Sequence, residues 1–156
     1  MIKNLEPSEC IQILKQNYIG HLAYIFQNRP FVIPITYFYE QKTNTIIGYS
    51  SEGHKTKALR LLNAVSIEVA EIESINNWQS VLVHGTYEEL KGSQAKSHLH
   101  TFSDGIKEII RQKEEKNPQC ISEFSSKIYD EEVPVVFCIS LDDITGKQRE
   151  HVNSKL

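Results

Sequence analysis

The segment from Ile47 to Lys57 combines residue types that bind phosphate groups. An apolar strand is predicted to end at the hydroxyl residues from Ser50 onward, and Gly53 permits a ligand to approach the backbone closely. A helix is predicted to begin directly afterwards, where backbone N–H groups lack intrahelical partners and carry partial positive charge. The ammonium group of Lys55 would add charged hydrogen bonds to a phosphomonoester. The pattern therefore indicates a phosphate-binding turn.

The same residues also fit a plain turn and helix N-cap, with Lys57 and Arg60 on a solvated helix face. They match neither the Walker pattern G-x-x-x-x-G-K-[ST] nor the dinucleotide pattern G-x-G-x-x-G. The segment therefore disfavours a P-loop or a Rossmann fold.

A second polar group occurs at the start of the apolar run from Trp78 to Leu90. Gln79 and Ser80 carry amide and hydroxyl groups that could bind the carbonyl and nitrogen edge of a heterocyclic ring. Such residues are also common at exposed strand positions, and Trp78 is typical of a core residue. This run alone does not distinguish the two interpretations.

Hydrophobic spacing predicts the elements that position these residues. Residues 1–17 are predicted to contain an N-terminal helix that starts near Pro7. Residues 18–90 are predicted to form a barrel core with one helix at 54–63, and Gly85 indicates a bulge or a sharp bend. The predicted core strands are Tyr18–Phe26, Phe31–Glu40, Thr45–Ser51, Ala64–Ala70 and Trp78–Leu90.

The chain after Leu90 first takes on a helical period. A helical insertion is predicted at 93–116, which Ser103-Asp104-Gly105 could split into two helices. A closing strand is predicted at 133–145 because the run is apolar throughout. The prediction is a single domain, 1–156, that is mainly β (α+β), with six antiparallel strands in a barrel and flanking helices.

Charge and composition disfavour nucleic-acid-binding, membrane and secreted proteins. A net charge of −3 over 156 residues gives no general attraction to nucleic acid. No apolar stretch reaches the roughly 20 residues of a membrane helix, and the N-terminus does not resemble a secretory signal. Cys10, Cys120 and Cys138 are an odd number without C-x-x-C spacing, which predicts reduced thiols, no metal site and a cytoplasmic location.

Several short motifs occur together in one order along the chain. They are Gly20-His21-Leu22-Ala23; Pro30 to Pro34 followed by Ile35-Thr36-Tyr37; Gly53-His54-Lys55; a Leu-rich helix end at Asn63; and Trp-x-Ser-Val-x-Val-x-Gly from Trp78. In this order they resemble the FMN-binding split barrels related to pyridoxamine 5′-phosphate oxidase. The resemblance is greatest to the small branch that includes nitroimidazole-resistance proteins.

The resemblance implies a split barrel that binds FMN between the two subunits of a homodimer. The phosphate would lie near Ser50, Lys55 and Thr56, and Tyr49 would lie near the ring or the ribityl chain. The ring would rest against Pro34, Ile35 and Thr36 and would meet Gln79, Ser80 and Val81.

The chain departs from this family in two places. Oxidases of pyridoxamine phosphate carry an arginine on the second strand and a closing Arg-Leu-x-Pro signature, and this chain has neither. Tyr49 stands where the nitroimidazole-resistance branch commonly has histidine, which weakens an interpretation as antibiotic reduction. The resemblance then implies an FMN-dependent oxidoreductase acting on a small molecule. The alternatives are a non-catalytic flavin carrier or sensor and a haem-binding member of the fold, and a deazaflavin could occupy the same cleft.

Overall fold

A computed structural model describes residues 1–113 and 134–151 of the chain. The helices are α1 (Pro7–Gln16), α2 (His54–Leu61) and α3 (Gly92–Lys113). The strands are β1 (Ile2–Asn4), β2 (Ile19–Phe26), β3 (Arg29–Thr36), β4 (Phe38–Glu40), β5 (Thr45–Ser50), β6 (Ala64–Ser74), β7 (Asn77–Leu90) and β8 (Val135–Arg149).

In the described part of the chain, eight strands form one antiparallel sheet in the order β3-β2-β6-β7-β8-β5-β4, with β1 paired to β8. The predicted mainly β split barrel with flanking helices is confirmed. Six strands were predicted. Strand β1 was not among them, and β4 was predicted as the end of Phe31–Glu40; both have three residues. Strands this short leave almost no alternating pattern in a sequence, because a period of two needs four or more residues to be recognised.

Alternation along the long strands separates two faces. On β2, Leu22 and Tyr24 are buried in the main core while His21 and Ile25 are exposed. On β7, Val81 and Val83 are buried and Leu82 is exposed. We call the side of β3, β2, β6, β7 and β8 that points away from this core the outer face. A β-strand turns successive side chains to opposite sides, so each strand contributes to both faces.

The predicted second strand of the hairpin, Phe31–Glu40, is broken at Tyr37. Its side chain is fully buried, and its hydroxyl donates to the carbonyl of Leu14 at 2.9 Å. Its backbone N–H donates to the carbonyl of Tyr18 at 2.8 Å. Tyr37 therefore ties the end of β3 to α1 and to the start of β2, and β4 begins after it.

Helices α1 and α2 pack on the core. Glu6 precedes α1, and its backbone N–H donates to the Glu9 carboxylate at 3.2 Å as in a capping box. Cys10, Ile13 and Leu14 then face the core. Helix α2 ends at Leu61, two residues before the predicted end, because the backbone of Leu62 is extended.

Helix α3 runs unbroken from Gly92 to Lys113, so the possible split at Ser103-Asp104-Gly105 does not occur. Ser103 is buried, and Gly105 lies directly against the ring of Phe38. Glycine is needed there for close packing and does not end the helix. Positions 114–116 of the predicted insertion lie outside the described residues. Helix α3 covers β5 through a second apolar cluster that contains Ile47, Phe102, Ile106 and Ile110.

Strand β8 extends to Arg149, four residues beyond the predicted 133–145, and position 133 lies outside the described residues. Its register with β7 shifts between His84 and Gly85, where His84 pairs with Asp143 and Gly85 with Leu141. The bulge indicated at Gly85 is therefore present, and the extra residue, Asp142, belongs to β8. Within the described ranges, the helices include none that is long and apolar enough to cross a membrane.

Replacing Gly105 with alanine should destabilise the protein, because the new methyl group would overlap the ring of Phe38. The overlap should cost about 1–3 kcal/mol, which outweighs the gain of about 1 kcal/mol in helix propensity. The free energy of unfolding in urea measures the effect. Ser97→Ala, at an exposed position of the same helix, is the control and should be neutral or slightly stabilising. Equal stability of the two variants would contradict the packing role of Gly105.

Candidate functional site

The turn from Ser50 to Thr56, which we call the phosphate turn, connects the end of β5 to the first residues of α2. Ser50 is only 9% exposed, and its hydroxyl donates to the carbonyl of Ser51 at 3.1 Å. Gly53 is the N-cap residue with extended backbone. Among the described residues, the nearest atom to a Cβ built on Gly53, apart from its chain neighbours, is the Ser51 carbonyl oxygen at 4.0 Å. The backbone at Gly53 is thus open to a close ligand.

Thr56 holds this turn in shape from inside. Its side chain is fully buried, its hydroxyl accepts the N–H of Gly53 at 3.0 Å, and it donates to the Gly53 carbonyl at 2.9 Å. Both hydrogen-bonding functions of the hydroxyl are therefore used within the protein. Thr56 positions the turn, while half-buried Lys55 is the cationic side chain that the turn carries beside it.

Arg60, a cation near the same turn, is bound by two carboxylates. Its guanidinium donates to both carboxylate oxygens of Glu52 and, through Nε, to Glu89 at 2.7 Å. The hydrogen bond from Arg60 lowers the pKa of Glu52, and bonds from Glu52 and Glu89 raise the pKa of Arg60. The Arg60 guanidinium is thus committed to Glu52 and Glu89, and its charge is outweighed by theirs.

His54 anchors the start of α2 to the β2–β3 hairpin. Its Nδ1 lies 2.8 Å from the hydroxyl of Tyr24. Its ring centroid is 4.8 Å from that of Phe31 and 4.9 Å from that of Phe26. The hairpin turns at Gln27 and Asn28, both of which have positive φ as a tight two-residue turn requires. The phosphate turn is therefore fixed to this end of the barrel.

Tyr49 and Ser50 lie on opposite sides of β5. The ring of Tyr49 packs edge-on against Phe102 of α3, with centroids 5.3 Å apart. Ser50 follows the buried positions Ile46 and Gly48 on the other side of the strand. Tyr49 consequently belongs to the cluster beneath α3, on the side of β5 opposite to Ser50.

The predicted ring contacts divide between the two faces of the sheet. Pro34 and Ser80 lie on the outer face, and Thr36, which follows the inward Ile35, has the same orientation. Ile35 packs on the core, and Val81 is completely buried in it. Val81 can offer a ligand its backbone groups only, whereas the Ile35 side chain is partly exposed.

Gln79 shares the orientation of Val81 near the barrel end. Its side-chain amide donates to Gln148 of β8 at 3.3 Å. Gln79 is therefore separated by the strand itself from the outer-face hydroxyl of Ser80.

A hydrogen-bonded chain of three side chains crosses the outer face. The carboxylate of Glu68 accepts the hydroxyl of Ser80 at 3.1 Å and lies 3.1 Å from Nδ1 of His21. His21 is also the strand partner of Pro34. Sequence patterns indicate that Glu68 and Ser80 each alternate with buried neighbours. Their contact, however, depends on the register between β6 and β7. Glu68 was therefore not among the predicted site residues.

Among the described residues, cavities occur on the outer face at both ends of the barrel. The cavity between β7 and β8 has a volume of about 240 Å³, and its lining residues are Trp78, Ser80, Leu82, Thr145, Gly146 and Lys147. The other, of about 400 Å³, lies towards the β2–β3 hairpin and includes Ser66 and His84, whose Oγ and Nδ1 are 2.6 Å apart. The outer face can thus accept flat or small ligands at both ends.

The predicted residues do not form one compact group within a single chain. In the order β3-β2-β6-β7, Pro34 lies on β3 and Ser80 lies on β7, the third strand along from β3. At the usual distance between neighbouring strands, β3 and β7 are about 14 Å apart. A ring that touched both strands would have to lie across His21 and Glu68. Otherwise, the two strands would contact the ring from different subunits.

Comparison with known proteins places the chain in a family. A family model described as pyridoxamine 5′-phosphate oxidase matches residues 6–148. An uncharacterized protein of Rhizobium meliloti (strain 1021) is 28% identical over 159 residues, which cover 94% of each protein.

Two solved structures resemble the whole chain. An FAD-binding protein from Mesorhizobium loti has a TM-score of 0.76 and 24% identity, with 97% of this chain and 98% of that chain covered. The flavocytochrome Anf3 from Azotobacter vinelandii has a TM-score of 0.68 and 21% identity, with 96% and 70% covered. At these identities the likeness shows a shared fold.

Thr56→Val should loosen the phosphate turn, because valine keeps the shape of the side chain but removes both hydrogen bonds to Gly53. Loss of a cap of this kind costs about 1–2 kcal/mol. The free energy of unfolding measures the loss, and Thr56→Ser, which keeps the hydroxyl, is the matched control. A valine variant as stable as the wild type would show that the cap contributes nothing.

Proposed function

Since the chain belongs to the pyridoxamine 5′-phosphate oxidase family, we propose that it is an FMN-binding flavoprotein that acts as an oxidoreductase on a small molecule. The phosphate turn is the observation on which this proposal rests. It joins an open backbone at Gly53, a helix start and the Lys55 side chain, which together suit a phosphate group. The flavin would supply the electron transfer, and the protein would supply binding and orientation.

FMN suits this turn because its terminal phosphomonoester presents three oxygens to the backbone at Gly53, the start of α2 and Lys55. The relative from Mesorhizobium loti is described as FAD-binding, so FAD is the proper competitor in a binding experiment.

The outer face supports a homodimer. Its exposed large apolar side chains include Val32 at 63%, Ile19 at 54%, Ile25 at 44% and Leu82 at 37%. Apolar groups that cluster on one face commonly mark a protein interface. A second copy on this face would bury them and would supply a second wall for a ring bound near Pro34 or Ser80.

Two other functions fit the same fold. A flavin carrier or sensor would bind FMN without turnover, and reduction by NADH or NADPH with a quinone or nitroaromatic acceptor distinguishes it from an oxidoreductase. Haem binding is the second alternative, since one structural relative is described as a flavocytochrome. A Soret band on titration with hemin, without an affinity for FMN, would favour haem.

Lys55→Ala should weaken FMN binding by about 1.5–3 kcal/mol, the usual contribution of a hydrogen bond to a charged group. Quenching of flavin fluorescence measures the dissociation constants of FMN, FAD and riboflavin. Riboflavin lacks the phosphate, so its affinity should not change in this variant. Lys57→Ala, at an exposed position of the same helix, is the control. Equal losses for FMN and riboflavin would place Lys55 away from the phosphate.

Val32→Asp should convert the dimer to a monomer, because a carboxylate would then be buried among the apolar side chains of the interface. Sedimentation equilibrium at micromolar concentration measures the mass. Ile75→Asp, at an 80% exposed position in the β6–β7 turn, is the control and should remain dimeric. A wild-type protein that sediments as a monomer would exclude the shared cleft.

A further inference from the structure

We infer that the outer-face cavity towards the β2–β3 hairpin is a second ligand site, which binds a small organic cation with an apolar body. We call it the hairpin cavity, and its lining includes Ala23, Ile25, Pro30, Ser66, His84 and Asp142. Its volume of about 400 Å³ is within the range of small-molecule sites. The residues predicted to contact the flavin do not line it, so the inference is independent of the proposed function.

Short side chains make the hollow of the hairpin cavity. Ala23 of β2 pairs with Ser66 of β6, which pairs in turn with His84 of β7. The larger residues Ile25 and Pro30 are paired with each other at the edge towards β3. A row of short side chains between longer ones leaves a depression in the face of a sheet. The cavity therefore follows from the residue types on these strands and from their register.

The end of the hairpin cavity towards β3 is apolar. Ala23, Ile25 and Pro30 line this end, and Ala64 of β6 adds a further methyl group. An apolar part of a ligand that lay here would leave water, which favours binding in proportion to the area buried. This end therefore suits the hydrocarbon body of a small molecule.

The opposite end, towards β8, contains a carboxylate. Asp142 is the extra residue of the β8 bulge, and bulges commonly re-aim a side chain. Its Oδ2 accepts the hydroxyl of Thr86 at 2.9 Å. A carboxylate has about four acceptor sites, so this bond leaves acceptor capacity for a ligand. Among the described residues, neither a lysine nor an arginine lines the cavity to balance this charge.

The groups next to Asp142 strengthen the preference for a cation. Asp143 is the strand partner of His84, and paired residues project to the same face about 5 Å apart. Nδ1 of His84 is 2.6 Å from Oγ of Ser66, so these two polar groups are paired with each other. A positively charged ligand group would thus meet two carboxylates at this end.

An ammonium group is the kind of cation that fits. In residues 1–113 and 134–151, His, Cys, Asp and Glu form no group of three or more that could hold a metal ion. An ammonium donates hydrogen bonds to a carboxylate, and these charged bonds are the stronger kind. One molecule that carries an ammonium next to an apolar body would fill both ends of the hairpin cavity.

Calorimetric titration with phenethylamine near neutral pH tests this site. Phenethyl alcohol has the same apolar body without the charge, and hydrocinnamate has an anionic group instead. The protein should bind the amine about 10- to 100-fold more tightly than the alcohol, the effect of one charged hydrogen bond. It should not bind hydrocinnamate. Equal affinity for the amine and the alcohol would overturn the inference, and so would the absence of binding by the amine.

Two variants locate the bound amine. Asp142→Asn keeps the shape and an acceptor for Thr86 but removes the charge, so the amine should bind about tenfold more weakly or worse. Asp104→Asn, at an exposed position of α3, is its control. Ala23→Leu should abolish binding because the larger side chain fills the hollow, whereas Ala95→Leu on α3 should not.

Melting temperatures confirm that each variant is folded. Wild-type affinity for the amine in either Asp142→Asn or Ala23→Leu would overturn the assignment to the hairpin cavity.

FMN separates the inference from the proposed function. The amine should bind to FMN-saturated protein and to flavin-free protein with the same affinity, because the predicted flavin contacts lie elsewhere. Competition between FMN and the amine would overturn the inference and leave the flavin function in place. A protein that binds the amine but no flavin would overturn the proposed function alone.

Discussion

Strand β7 is paired with β6 from Asn77 to Thr86 and with β8 from Trp78 to Leu90, so most of its fourteen residues have a neighbouring strand on both sides. Because side chains alternate along each of these strands, every residue is assigned either to the core or to the outer face. Val81 and Val83 complete the core, and Ser80 and Leu82 between them reach the outer face. A shift of register by one residue would exchange the two sets, so both the core and the candidate site depend on this ladder.

The candidate site has two parts that the barrel holds at different places. The phosphate turn is attached to the hairpin end through His54, which contacts Tyr24 and Phe31. Pro34 lies at the other end of β3, and Ser80 lies three strands away on β7. A long cofactor could bind both parts, with its anionic tail at the phosphate turn and its flat ring near Pro34 or Ser80. A second subunit could supply one wall of the ring-binding cleft. The exposed apolar side chains of the outer face fit this arrangement.

Charge around the site is arranged by pairing. Arg60 is held by Glu52 and Glu89 at the phosphate turn. On the outer face, Glu68 accepts the hydroxyl of Ser80 and lies next to His21. In both places a carboxylate fixes the orientation of the side chains around it.

The reduced thiols predicted from the cysteine count lie in two kinds of position. Cys10 is buried against the core, and Cys138 is half-buried on β8. Burial raises the pKa of both thiols, which keeps them protonated and unreactive. Cys120 lies outside the described residues.

Local patterns were sufficient for the barrel class, the long strands, the helix after β5 and the order of motifs that marks the family, because each depends on neighbouring residues in the chain. They were insufficient wherever a contact joins distant segments. From sequence, Gly105 indicated a possible helix break. In the structure it lies within an unbroken helix and packs against the ring of Phe38. Only the tertiary structure shows that Tyr49 packs against α3 and that Ile35 and Val81 pack on the core. Their predicted contacts with the cofactor stay predictions. The Glu68–Ser80 contact exists only through the β6–β7 register, which no short stretch of sequence encodes.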